Sequence, residues 1–247
     1  DVRCAAILAL GGLHRESTFR LDGSAAYPIL IQLTDDPDPV EAGHWELYGA
    51  FQWEGNGQAA SGTCPHVEVN YGALPGLQLH VIVPAGLALA RGEAARWGLG
   101  DLELGAKVRL VAEGPGRPEI GVFPLVFLPT GSEDRGLGSG GLEALLPVWV
   151  QKRFGPWTTY GGGGIHLSPG GSSMVAGWLV QRQVATWLTL GAEAFVTVPW
   201  SGGAVRKQVN LGAVLDLTGQ DHLLLSAGPS FGTADRAQAY LAYQRTL

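Results

Sequence analysis

The chain has 247 residues, a formal net charge of −6, 46% apolar and only 15% charged residues, and 38 glycines, enough for one domain, with no linker-like shift of composition to divide it. It is apolar on average yet holds no uninterrupted apolar stretch of about 18 residues, which excludes a membrane-spanning helix. The acidic balance, without a Lys/Arg cluster, speaks against a nucleic-acid partner or an anionic membrane surface.

Along the chain, Arg3 followed by the apolar run from Cys4 to Leu10 reads as the remains of a signal peptide, so residues 1–20 are expected to be that remnant and its leader. Residues 21–43 read as a periplasmic lead-in, because Asp35, Asp36, Pro37, Asp38 and Pro39 disfavour strand pairing. Cys4 and Cys64 are too few for a disulfide framework and have no metal-ligand spacing. If the leader is cleaved, Cys64 remains as a lone thiol.

From residue 44 to 247 the pattern becomes two-residue alternation, which puts alternate side chains on opposite faces of a strand. The segments are 44–54, 63–72, 76–84, 101–110, 117–128, 141–154, 157–167, 174–183, 186–198, 205–217, 222–231 and 236–247. Each is about as long as a strand that crosses a bilayer at a tilt, and together they predict an all-β fold, a closed antiparallel transmembrane β-barrel of about 12 strands. In segment 101–110, Leu102, Leu104, Ala106, Val108 and Leu110 alternate with Asp101, Glu103, Gly105, Lys107 and Arg109. In segment 205–217, Val205, Val209, Leu211, Ala213, Leu215 and Leu217 oppose Arg206, Gln208, Asn210, Gly212 and Asp216, and only Lys207 breaks the apolar face. The joints alternate too: 55–62, 85–100, 129–140, 168–173 and 199–204 are long or Gly-rich, and those between them are short, as on the two rims of an outer-membrane barrel. The joint 232–235 is short for its side. An even strand count puts both ends in the periplasm. Trp45, Trp53, Trp97, Trp157, Tyr160, Trp187 and Trp200 fall near predicted strand ends, where membrane interfaces favour aromatic rings; Trp149 and Trp178 do not.

At Trp97-Gly-Leu-Gly-Asp-Leu-Glu-Leu-Gly-Ala-Lys-Val-Arg109 the sequence resembles a strand of the bacterial family labelled meta-pathway of phenol degradation, whose members are assigned as outer-membrane transporters. The likeness extends to the run from Thr34 to Glu46, to Val69-Asn-Tyr-Gly72 with Leu77-Gln-Leu79, and to Phe127-Leu-Pro-Thr-Gly131. It implies a Gram-negative outer-membrane barrel with a lipid bilayer and the outer-membrane assembly machinery as partners. These motifs serve barrel geometry and are nearly silent about cargo. The sequence departs from the family at Val108, where an aromatic is common, and at Leu247, where such barrels usually end in an aromatic.

The face predicted to line the lumen collects Glu46, Glu68, Asn70, His80, Glu103, Lys107, Arg109, Glu193, Arg206, Gln208, Asn210 and Asp216. Mixed charge there has two readings: a salt-bridged interior that closes a narrow barrel, or a polar conduit that selects solutes. Phe123, Phe127 and Trp149 would meet an aromatic or fatty solute first. A hydrolase would need a Ser–His pair with an orienting group; His166 with Ser168, and His66 with Ser61, have spacing but no identifiable third member. The six histidines are scattered without paired ligand spacing, so neither metal nor cofactor is expected. The run from Tyr160 to Ile165 has four glycines but lacks the Lys-Ser/Thr of a phosphate loop. The expected function is a porin-like channel or transporter for small aromatic or hydrophobic solutes in the outer membrane, without enzymatic activity; a closed structural or surface-binding barrel is the first alternative and an outer-membrane hydrolase the second.

Overall fold

A computed structural model describes residues 34–232 and 236–247; the expected signal-peptide remnant and most of the lead-in lie outside the described residues. The strands are β1 (Trp45–Gly55), β2 (Ala59–Leu74), β3 (Leu77–Ala90), β4 (Arg96–Leu99), β5 (Leu102–Val111), β6 (Glu119–Val122), β7 (Leu125–Leu128), β8 (Glu143–Phe154), β9 (Trp157–Leu167), β10 (Ser173–Ala185), β11 (Leu188–Pro199), β12 (Arg206–Asp216), β13 (Asp221–Phe231) and β14 (Arg236–Thr246). All pair antiparallel in one sheet, and β1 closes it on β14 from Glu46 opposite Thr246 to Gly55 opposite Ala237. Closure leaves no unpaired edge in the hydrocarbon. β4 and β5 both pair with β3, and β6 and β7 both lie between β5 and β8, so each couple is one interrupted wall strand and the barrel has 12 strands. Pro124 explains one interruption: it has no N–H to give the ladder, and its carbonyl instead accepts from Ala106 N at 3.2 Å.

The alternation read from the sequence is the in–out pattern of the wall. On β8, Glu143, Leu145, Trp149 and Gln151 are buried, while Leu146 and Val148 between them are exposed at 48% and 47%. On β5 the charged Lys107 is buried and Leu104 and Leu110 face outward. Val180, Leu190, Val209, Leu211, Leu225 and Leu241 continue this exposed apolar band across β10 to β14. A water-soluble barrel would cover such a band; a lipid-embedded one requires it. The chain is thus a membrane-type β-barrel, closed and apolar on its outer face.

Trp45, Trp97, Trp157, Trp187 and Trp200 are exposed near strand ends, where they suit a membrane interface. Tyr160 does not join them: it is buried and faces the lumen, because it sits in register with Gln151 and Leu179 on the inner face. Glycines in the run after it make room for two indoles. A Cβ on Gly162 would stand 2.0 Å from the Val148 carbonyl and 3.1 Å from the Trp149 ring inside the barrel, and one on Gly161 would strike the Trp178 ring outside, at 2.5 Å. Trp178 is held there by its N–H, which donates to Thr159 Oγ1 at 2.8 Å.

Two joints are shorter than expected. Segment 85–100 contracts to 91–95, because Gly86 pairs with Gly98 and Leu87 with Trp97, continuing the ladder through glycines that hide the alternation. Segment 55–62 contracts to 56–58. The long joint 129–142 bends over the mouth and buries Leu137 against Gly86 and Gly98. Asp101 pins it: one carboxylate oxygen accepts from Gly131 N at 2.9 Å, the other from Ser139 N at 2.7 Å and Ser139 Oγ at 2.8 Å. Asp101→Ala is expected to lose about 1–3 kcal/mol of local stability and to make residues 129–142 the fastest site of limited proteolysis; wild-type cleavage rates would refute the pin.

Candidate functional site

A cavity of about 950 Å³ runs inside the wall. Its floor is the end of the lead-in, of which residues 34–40 pack inside the wall. Pro37 is fully buried beside Gly121, where a Cβ would come within 2.9 Å of it. Gly72 similarly allows the Glu41 carbonyl to pass. Polar groups then anchor the segment to several strands. Lys107 Nζ donates to Asp35 at 2.9 Å and lies 3.7 Å from Asp36. Asp38 pairs with Arg109 at 2.9 Å and with Arg153 at 2.8 Å. Val40 N donates to Gln78 Oε1 at 2.9 Å, and Thr34 N to Glu193 Oε1 at 3.0 Å. Below this network, Lys152, the Arg153 N–H and the Arg153 guanidinium surround Glu113 in the joint 112–118; the Lys152 ammonium holds its carboxyl below the usual range.

The inner faces of β2, β3 and β5 carry a second network. Asn70 donates to Glu68 at 2.8 Å, His80 Nδ1 faces Asn70 Oδ1 at 2.6 Å, and His80 Nε2 faces Glu103 at 3.1 Å. Both ring nitrogens meet acceptors, a pairing that an imidazolium satisfies. On the opposite wall a third network runs Gln208–Gln238–Asn210–Glu193, with steps of 2.7, 2.7 and 2.8 Å. Buried polar groups joined in this way escape the cost of lost hydration.

Nine of the residues expected at the lumen, Glu46, Glu68, Asn70, His80, Glu103, Lys107, Arg109, Glu193 and Asn210, line the cavity. Gln208 is buried behind Gln238. Arg206 pairs with Glu54 at the far rim, where Arg236 is also 3.5 Å from that carboxylate. Asp216 is at the short-turn rim, bound to His222 at 2.7 Å. The sequence reading missed the acids of the lead-in. Among the described residues, Asp35, Asp36, Asp38, Glu41, Glu46, Glu68, Asp101, Glu103 and Glu193 line the cavity against only Lys107, Arg109 and Arg153. With His80 charged as well, acids remain in clear excess. One sector is apolar instead: Phe123, Leu125, Phe127, Leu145, Trp149, Val175 and Phe195 form a buried cluster facing inward.

His166 and Ser168 do have a common partner that spacing did not reveal. Glu143 accepts from Ser168 Oγ at 2.6 Å and faces His166 Nε2 at 3.2 Å. The serine therefore gives its hydroxyl proton to the carboxylate and not to the imidazole, the reverse of what an activated nucleophile needs. His66 faces Thr63 Oγ1 at 3.4 Å and Glu68, not Ser61.

The chain is similar in structure to the COG4313 outer membrane channel from Pseudomonas putida F1, with a TM-score of 0.70 and 18% identity over 86% of this chain and 98% of that one. It is also similar to the KdgM porin (TM-score 0.58, 8% identity, 81% and 98% covered) and the NanC porin (0.59, 7%, 81% and 100%). At these identities the likeness is one of fold. No family model and no curated protein matches the sequence.

Proposed function

We propose that this barrel is a channel for small solutes with aromatic or otherwise hydrophobic bodies, inserted by the outer-membrane assembly machinery and free of enzymatic activity. The observation that carries this reading is the cavity of about 950 Å³, whose wall joins charged networks to an inward-facing aromatic sector. Charged rings select by sign, and an apolar wall lowers the cost of moving an apolar body past them. The twelve residues read from the sequence as lumen-lining belong to this proposal as determinants of permeation.

In a planar bilayer the refolded chain, its closure checked by heat-modifiable gel mobility, is expected to give steady ohmic current steps. Silence from a folded barrel would overturn the channel and favour the second reading, a closed structural or surface-binding barrel. That reading has one observation in its favour, the ion-paired lead-in across the floor. A hydrolase at Ser168 would be supported only by lipid or peptide cleavage that Ser168→Ala abolishes.

A further inference from the structure

Resting on the channel reading, we propose that Arg109 of β5 and Arg153 of β8 form a binding site for the carboxylate of a small ring-bearing acid, and that the lead-in occupies this site as a tethered competitor through Pro37 and Asp38. The two guanidiniums clamp the Asp38 carboxylate, one oxygen each: Arg109 donates to Oδ1 at 2.9 Å and Arg153 to Oδ2 at 2.8 Å. Charge-assisted bonds from two guanidiniums hold a carboxylate in a defined position. The Arg109 and Arg153 side chains are 33% and 47% exposed, so solvent reaches the clamp.

The charge around the clamp calls for such an anion. Arg109, Arg153 and Lys152 meet Glu113, Glu119 and Asp38 in one network of ion pairs, three charges of each sign. Glu119 belongs to β6 and Glu113 to the joint before it, and Asp38 alone comes from the lead-in. Withdrawing the lead-in therefore leaves one positive charge uncompensated, at the two residues that converge on Asp38, and a solute carboxylate restores the balance.

The neighbouring space fits a ring. Gly121 stands opposite Arg109 on one side and Trp149 on the other, so no side chain separates guanidinium from indole along that row. Pro37 fills the space over Gly121: it is fully buried, and a Cβ on that glycine would come within 2.9 Å of the Pro37 Cβ. The present occupant is thus a ring followed by a carboxylate. It is an imperfect one, because Trp149 Nε1 and Gln151 Nε2, on buried side chains that line the cavity and precede Arg153 on the inner face of β8, have no hydrogen-bond partner among the described residues. Buried donors ordinarily find acceptors, and a free acid, unlike one fixed in the chain, can shift toward β8 to supply them. Phe123, Phe127 and Phe195 cluster with Trp149 and extend the apolar surface for a larger ring.

The test uses the full folded chain in nanodiscs, titrated calorimetrically with benzoate, with its uncharged isostere benzamide, and with acetate, which lacks the ring. Because Asp38 competes for the clamp, Asp38→Ala and the isosteric Asp38→Asn are each expected to bind benzoate at least about tenfold more tightly than the wild type. In Asp38→Ala, benzoate should bind about tenfold more tightly than benzamide and about fivefold more tightly than acetate, and adding Arg153→Gln should weaken benzoate by about tenfold. Heat-modifiable mobility checks that each variant is closed. Wild-type affinity for benzoate in the folded Asp38 variants, equal binding of benzamide or acetate, or indifference to Arg153→Gln would overturn the site. The bilayer recording reports separately: conduction without benzoate binding removes only the site, and benzoate binding without conduction removes only the channel.

Discussion

A chain in which Asp35, Asp36 and Asp38 are replaced together by alanine is expected to conduct severalfold better than the wild type in single-channel recordings. These three carboxylates neutralise Lys107, Arg109 and Arg153 and so tie the lead-in to two wall strands, β5 and β8. Lys107 is only 5% exposed, and breaking a buried pair by removing one partner typically costs about 3–5 kcal/mol because a desolvated charge is left behind. The lysine recovers hydration if water replaces the segment, so the substitution both weakens the anchor and favours displacement. Gly72→Val is a charge-neutral second route, since even a Cβ at this position would stand 2.0 Å from the Glu41 carbonyl, and its three nearest neighbours all belong to the lead-in. Both variants should raise conductance while heat-modifiable mobility stays normal. Wild-type conductance in both would mean that the lead-in does not limit the current.

That the lead-in occupies the lumen could not be read from its residues. Prolines among acids do disfavour a strand, which is why residues 34–43 stand outside the alternating pattern, but Asp35 and Lys107 are 72 positions apart and Asp38 and Arg153 are 115 apart. No local rule links them. Alternation, by contrast, is a local consequence of strand geometry. β5, whose apolar face is complete, and β12, whose apolar face only Lys207 breaks, were legible almost residue by residue, and so was the inward direction of Lys107 and Asn210. The reading lapsed where glycine carries the ladder without a side chain, as at Gly86 and Gly98, and where an aromatic near a strand end turned inward, as Tyr160 does. Glu143 escaped notice for the same reason as the lead-in: it joins His166 and Ser168 across two strands, at separations of 23 and 25 residues.

The sign of the lumen makes the second large expectation. In about a tenfold potassium chloride gradient, the reversal potential of the wild-type chain should lie close to that for potassium, with cations carrying most of the current. Among the described residues the acids lining the cavity outnumber Lys107, Arg109 and Arg153 three to one, and low-dielectric walls focus their field on the permeating ion. Replacing Glu46, Glu68 and Glu103 together by glutamine keeps shape and hydrogen-bonding capacity while removing three of the nine carboxylates, and is expected to reduce the cation preference by at least about half. Ionic strength provides an internal check. At about 0.1 M salt the screening length is about 10 Å, whereas at 1 M it falls to about 3 Å, so the preference of the wild type should weaken steeply with salt and that of the triple variant less so. A wild-type channel that prefers chloride, or one whose selectivity ignores these three residues, would mean that ions follow a path other than the β1–β2–β5 side of the lumen.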